Sequence, residues 1–100
     1  MTDPVSQFVI TTIASDKVVI FSKSTCPYCT MAKEVFDELK QKYTLIELNK
    51  REGAAEIQNV LAKMTGARTV PRVFVNGKCI GGGSDVKALH QNGKLKPMLI

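Results

Sequence analysis

The chain has 100 residues, of which 44% are hydrophobic and 23% charged, and its formal net charge is +5. This length supplies one modest hydrophobic core and excludes two, so we predict a single domain over residues 1–100. This composition is that of a folded chain and excludes a disordered one. Because the basic residues are scattered and only 6% of residues are aromatic, we expect no nucleic-acid partner.

The first residues of the chain and its number of cysteines predict the cellular compartment of the protein. The first eight residues lack the basic start of a secretory signal and the Arg-rich bias of a transit peptide. The longest apolar run, residues 18–21, is far too short to cross a bilayer, so we expect no membrane partner. Three cysteines cannot all pair in a structural framework. We therefore predict a cytoplasmic monomer whose cysteines serve chemistry.

The first half of the chain predicts a helix, a strand, a second helix and a second strand. Apolar residues at helical spacing predict amphipathic helices over residues 3–15 and 27–42. A continuous β-branched and aromatic run predicts a central strand over residues 18–21, buried on both faces. Loose alternation predicts a strand over residues 43–48. Because a strand–helix–strand unit crosses over right-handed, these two strands should pair in parallel.

A third helix and a hairpin follow. Ile57, Val60, Leu61 and Met64 have the spacing of one helical face, and Gly66 supplies the stop. Further on, Asn76-Gly77 separates two short apolar runs, over residues 72–75 and 78–80. This dipeptide is the strongest short hairpin signal, so we predict two antiparallel strands.

The carboxyl-terminal segment predicts two short helices. Ser84 is a candidate N-cap for a fourth helix that ends near Gly93, and Pro97 keeps any last helical segment short. The predicted fold class is therefore α/β, with a central four-stranded mixed sheet flanked by helices.

The motif Cys26-Pro27-Tyr28-Cys29 lies at the start of the second predicted helix. Residues three apart on a helix lie about 5–6 Å apart at Cβ, close to what a disulfide bridges. The helix N-terminus favours a thiolate, Lys23 adds a nearby cation, and Pro27 suits the first turn. We predict that Cys26 is a nucleophile with a lowered pKa and that Cys29 is the resolving thiol.

A Cys-x-x-Cys pair could also bind zinc or form a structural disulfide. A zinc site needs further ligands, but the chain has no second such pair, and Cys79 with His90 lacks the usual spacing. An inert structural disulfide conflicts with the predicted reducing compartment. We expect no metal, and we interpret Cys79 as a small structural residue.

Two later segments are candidates for a ligand site. At Val70-Pro71, before a predicted strand, a cis peptide bond is as plausible as an ordinary trans proline. A cis bond would present the Val70 backbone to an extended ligand. Residues 81–85, Gly-Gly-Gly-Ser-Asp, place bare backbone at a helix start, which suits a carboxylate, while Asp85 could receive an ammonium group. Alone, such a glycine run is more often a flexible turn.

Three segments together resemble the signatures of dithiol glutaredoxins. They are Lys23-Ser24-Thr25-Cys26-Pro27-Tyr28-Cys29, Thr69-Val70-Pro71 and Gly81-Gly82-Gly83-Ser84-Asp85. The resemblance implies a thioredoxin-like fold, a groove that binds glutathione as reductant and co-substrate, and a cis bond before Pro71. Some relatives carry a further cysteine where this chain has Gly83, and Pro97 interrupts what is often a longer terminal helix.

The resemblance also implies which residues meet glutathione. Lys23, Gln58 and Arg68 would face its glycyl carboxylate, and Val70 would pair with its cysteinyl backbone. Its γ-glutamyl end would lie against the glycine-rich segment, and Tyr28 would flank the sulfurs. The full predicted set is Lys23, Tyr28, Gln58, Arg68, Thr69, Val70, Pro71, Gly82, Gly83, Ser84 and Asp85.

The activity implied is reduction of glutathionylated proteins and of disulfide-containing proteins, through Cys26 and, for protein disulfides, Cys29. One alternative is a thioredoxin-type reductase, against which stands the absence of tryptophan. The other is a module in which two chains and two glutathiones hold an iron–sulfur cluster. Pro27 argues against it, because proline there generally disfavours that dimer in this family.

Overall fold

The computed structural model describes residues 2–100 as one mixed sheet with helices on both faces. The strands are β1 (Val18–Ser22), β2 (Thr44–Glu47), β3 (Arg72–Val75) and β4 (Lys78–Gly81). The helices are α1 (Pro4–Ala14), α2 (Pro27–Glu38), α3 (Ala54–Thr65), α4 (Gly83–Gln91) and α5 (Leu95–Met98).

The sheet has the strand order β2-β1-β3-β4. β1 pairs in parallel with β2 and antiparallel with β3, and β3 pairs antiparallel with β4. At the hairpin turn Asn76 and Gly77 both have positive φ, 51° and 83°, as a two-residue turn matching the strand twist requires. The predicted central strand, parallel pair, hairpin and fold class are all confirmed.

β1 is buried on both faces because successive side chains of a strand point to opposite sides. Val19 and Phe21 lie in a core with residues of α1, α3 and β3, and Val18 and Ile20 lie in a second core with residues of α2, α4, α5 and β3. The ring of Phe21 meets that of Phe74 edge to face, at 5.9 Å between centroids. The continuous apolar run thus supplies both cores.

Some predicted boundaries are wrong. α2 ends at Glu38 rather than near residue 42, because Lys40 adopts a positive φ of 56° and the Gln41 N–H closes back on the Phe36 carbonyl at 2.9 Å. β2 spans residues 44–47, and a single 3₁₀ turn follows it over residues 48–50.

Ser84 is not the N-cap of α4. The cap is Gly82, whose N–H donates to the Asp85 carboxylate at 2.8 Å, so the helix starts before the predicted position. At the other end of the chain α5 is one turn long, as Pro97 predicts, and no helix in residues 2–100 combines the length and apolar character needed to span a bilayer.

Candidate functional site

The sheet topology brings the three signature segments to one corner. β1 ends at Ser22, and the register opposes Phe21 and Arg72, so the chain leaving β1 toward Cys26 passes the chain entering β3. β4 ends beside the same place, because Gly81 is opposite Val73. Antiparallel neighbours thus bring together segments more than forty residues apart in sequence.

A hydrogen-bonded loop carries the chain from β1 to the first cysteine. The Ser24 N–H donates to Asn49 Oδ1 at 3.0 Å, and Asn49 Nδ2 donates to Ser24 Oγ at 2.6 Å. The Cys26 N–H closes a turn on the Lys23 carbonyl at 3.1 Å. Cys26 is then the N-cap of α2 and Pro27 opens its first turn, as predicted.

Cys26 is a partly exposed free thiol whose pKa lies below its ordinary value. Partial burial by itself raises this pKa. The Cys29 side chain, the backbone N–H groups of Cys29 and Tyr28, and the charge of Lys23 lower it by more. Cys26 Sγ also lies 3.8 Å from the Val70 carbonyl oxygen, a long contact for a thiol donor.

Cys29 lies one turn deeper and is fully buried. Burial raises its pKa, and the neighbouring Cys26 adds to the rise. The Lys23 N–H, which donates to Cys29 Sγ at 3.4 Å, acts in the opposite direction. The two thiols of one motif therefore have pKa values displaced in opposite directions.

The Val70-Pro71 peptide bond is cis, which confirms the prediction from the resemblance. Pro71 is buried, and Arg72 Nε donates to its carbonyl at 3.1 Å. The Val70 backbone thus lies directly against Cys26, whereas Thr69 is exposed at the rim.

The glycine-rich segment closes the corner from the side of β4. A side chain at Gly83 would collide with the backbone carbonyl of Tyr28, so α4 lies directly on the start of α2. Ser84 and Asp85 are exposed, and one Asp85 oxygen accepts the Gly82 N–H. The Tyr28 side chain is 54% exposed at the mouth of the site.

The predicted carboxylate-binding side chains have different surroundings. Gln58 is buried on α3, and its Nε2 donates to the Arg68 carbonyl at 3.1 Å, so its amide holds the loop that leads to Val70. Arg68 is exposed, and its Nε donates to Asn59 Oδ1 at 3.0 Å. Lys23 is half-buried beside the thiols.

Sequence reasoning missed two residues that build this corner, Asn49 and Ser22. A signal for Asn49 existed, because β1 and β2 are parallel and polar residues that follow parallel strands meet at one edge of the sheet. No local signal marks Ser22, whose hydroxyl is buried at the end of an otherwise apolar strand.

A four-stranded mixed sheet with a dithiol at a helix N-terminus defines a thioredoxin-like dithiol protein. Two solved structures agree with this description. Holo glutaredoxin C1 from Populus tremula x tremuloides is similar at 36% identity and a TM-score of 0.93, covering 97% of this chain and 96% of that one. Buckwheat glutaredoxin in complex with glutathione is similar at 43% identity and a TM-score of 0.91, covering 95% and 86%.

The chain belongs to the glutaredoxin family. The family model described as Glutaredoxin matches residues 18–80. Mitochondrial glutaredoxin-2 of Bos taurus is 50% identical over 98 residues, which is 98% of this chain and 62% of that protein. The chain thus spans less than two thirds of the length of this relative.

The predicted cytoplasmic localisation is wrong on this comparison, because this relative is named as a mitochondrial protein. The prediction rested on cysteine usage and on the first residues of the chain. Cysteine usage distinguishes reducing from oxidising compartments, and several compartments are reducing. A targeting signal is read separately from the fold, so a cytosolic type of fold and cysteine content do not determine the compartment.

Proposed function

We propose that this chain is a glutathione-dependent thiol–disulfide oxidoreductase, with Cys26 as nucleophile and Cys29 as resolving thiol. The observation that carries the proposal is that Cys26 is partly exposed at the N-cap of α2 while Cys29 is buried one turn deeper, a placement that displaces their pKa values in opposite directions. A thiolate is the species that attacks a disulfide, so the partly exposed Cys26 is suited to meet a substrate. Buried Cys29 stays protonated until a mixed disulfide forms beside it.

With a glutathionylated protein, the Cys26 thiolate attacks the glutathione sulfur, and the target leaves as a thiolate that takes up a proton. A second glutathione then attacks the Cys26–glutathione disulfide, releasing oxidised glutathione and restoring the Cys26 thiolate. With a protein disulfide, Cys29 attacks the Cys26 mixed disulfide instead. Two glutathiones reduce the resulting Cys26–Cys29 disulfide.

Glutathione carries two carboxylates and one ammonium group, which match the chemistry around the thiols. Lys23 offers a cation beside Cys26, and the Val70 backbone lies against the same sulfur. The exposed Asp85 carboxylate offers an acceptor for the ammonium group. The other members of the proposed binding set are Tyr28, Gln58, Arg68, Thr69, Pro71, Gly82, Gly83 and Ser84. We further propose that the protein acts as a monomer on glutathionylated and disulfide-containing proteins.

Turnover of a small glutathione mixed disulfide and of a protein disulfide, coupled to glutathione reductase, tests these roles. Cys26→Ser should lose both activities, because no other thiolate is placed to attack. Cys29→Ser should keep deglutathionylation and lose most protein-disulfide reduction. Cys79→Ser, on β4, is the matched control and should keep both. Equal loss of deglutathionylation in the Cys26 and Cys29 variants would contradict the assignment.

A further inference from the structure

The Ser22 hydroxyl is buried without a hydrogen-bond partner. Ser22 ends β1 and is fully buried. Its Oγ is one of two buried side-chain polar atoms in residues 2–100 that have no partner. The other, Glu47 Oε1, belongs to a carboxylate whose second oxygen binds Lys33 at 3.2 Å. A buried hydroxyl without a hydrogen-bond partner lowers the stability of the fold, so its presence needs a functional explanation.

Ser22 and Cys29 are both fully buried, and the chain just after Ser22 contacts the Cys29 sulfur. The next residue, Lys23, donates its N–H to Cys29 Sγ at 3.4 Å. The Ser22 side chain acts on the same sulfur, because it lowers the pKa of Cys29 against the larger, opposing effect of burial. The hydroxyl forms no well-aligned hydrogen bond with the neutral thiol, which is a weak acceptor. A thiolate is a much stronger acceptor.

We propose that Ser22 is a positioning residue for the resolving step, in which its hydroxyl becomes the second donor, beside the Lys23 N–H, to the ionised Cys29 sulfur. The proposal rests on the proposed function, because it needs Cys29 to attack a disulfide at Cys26. Cys29 forms a bond to the Cys26 sulfur, the bond from Cys26 to the target sulfur breaks, and the proton of Cys29 ends on the departing target thiolate.

The arrangement favours the ionised state over the resting state. The Cys29 sulfur is shielded from water, so a donor there is worth more than at the surface. In the resting thiol the hydroxyl makes no well-aligned hydrogen bond, and its bond to the sulfur strengthens as negative charge develops there. An interaction that is stronger along the reaction than in the starting state speeds the step.

The pKa of Cys29 tests the proposal directly. It is measured in a Cys26→Ala background as the pH dependence of alkylation at Cys29, resolved from Cys79 by peptide mass spectrometry. Adding Ser22→Ala should raise the midpoint, and adding Ser22→Thr instead, which keeps a hydroxyl, should restore it. Equal midpoints with and without the hydroxyl would overturn the proposal. Ser22→Ala removes only an unpaired group, so we expect it to fold.

A kinetic measurement complements the titration. In the chain with both cysteines, Ser22→Ala should lower the ratio of protein-disulfide reduction to deglutathionylation by about two- to threefold, since a smaller thiolate fraction is partly offset by greater nucleophilicity. An unchanged ratio would also overturn the proposal. Because the titration needs no glutathione, a missing glutathione-dependent activity would refute the proposed function while leaving the Ser22–Cys29 interaction measurable.

Discussion

At the scale of single residues, chemistry depends on where each sulfur lies relative to the first turn of α2. Cys26 lies at the cap, beside backbone N–H groups and Lys23, and Cys29 lies under the helix in a buried position. The two cysteines therefore have different pKa values. The Cys29 side chain and backbone donors favour the charged form of Cys26, whereas burial disfavours the charged form of Cys29.

The charge of Lys23 is one of the causes that lower the pKa of Cys26. The pH midpoint of iodoacetamide alkylation at Cys26 should lie below that of an unperturbed cysteine thiol, because its pKa is lowered in the folded protein. Cys29 should titrate above that value. Lys23→Gln should move the Cys26 midpoint upward by removing a positive charge that favours the thiolate.

Lys33→Gln is the matched control for this experiment, because Lys33 lies on α2 but pairs with Glu47 on β2. Its removal should leave the Cys26 midpoint in place. A Cys26 midpoint equal to that of a free thiol in the unaltered protein would contradict the electrostatic account of the site.

At the scale of elements, the contact between α4 and α2 shapes the site. A Cβ at Gly83 would meet the Tyr28 carbonyl, which belongs to the cysteine motif itself. Backbone cannot yield as a flexible side chain can, so in this chain a Cβ at Gly83 would force the starts of α2 and α4 apart.

We expect Gly83→Ala to destabilise the fold by about 1–3 kcal/mol, the usual cost of forcing an added group into a packed contact. The free energy of unfolding by urea measures it. Ser84→Ala, an exposed neighbour on the same helix, is the control and should change stability by less than about 0.5 kcal/mol. If Gly83→Ala left the free energy of unfolding unchanged, α4 would be able to move away from α2 at little cost.

At the scale of the whole molecule, the carboxyl-terminal segment completes the second core. Leu95 is fully buried in the cluster that contains Phe36 and Val86, although α5 is only one turn long. Two long-range hydrogen bonds hold its end, from Lys17 Nζ to the Leu99 carbonyl at 2.8 Å and from Asn76 Nδ2 to the Met98 carbonyl at 3.2 Å. Pro97 therefore shortens the helix without detaching the segment.

Leu95→Ala should lower the free energy of unfolding by about 2–5 kcal/mol, the range for large-to-small changes in a core. Met98→Ala, in the same turn but 39% exposed, should cost much less. Chemical denaturation of the two variants distinguishes them. Similar losses in both would show that Leu95 does not anchor the segment.

Much of the architecture could be predicted from particular residues. The run over residues 18–21 predicted a strand buried on two faces, and Asn76-Gly77 predicted the hairpin. Both features depend on the residue types within a few positions of each other. The end of α2 could not be predicted, since Lys40 adopts a positive φ without a glycine to signal it. Ser84 was the wrong cap because the chain enters α4 earlier, at Gly82.

Some features of the candidate site could be predicted from the sequence, and others could not. The sequence by itself determined the cysteine motif at a helix start, the cation beside it and the order of helices and strands, because helix periodicity and capping act within a few residues. Only the tertiary structure decided that Val70 lies against Cys26, that Gln58 holds the Arg68 carbonyl and that the Lys23 N–H donates to Cys29 Sγ. Those contacts depend on antiparallel pairing and helix packing between segments that are distant in sequence. A local sequence pattern does not determine which distant backbone group a side chain contacts.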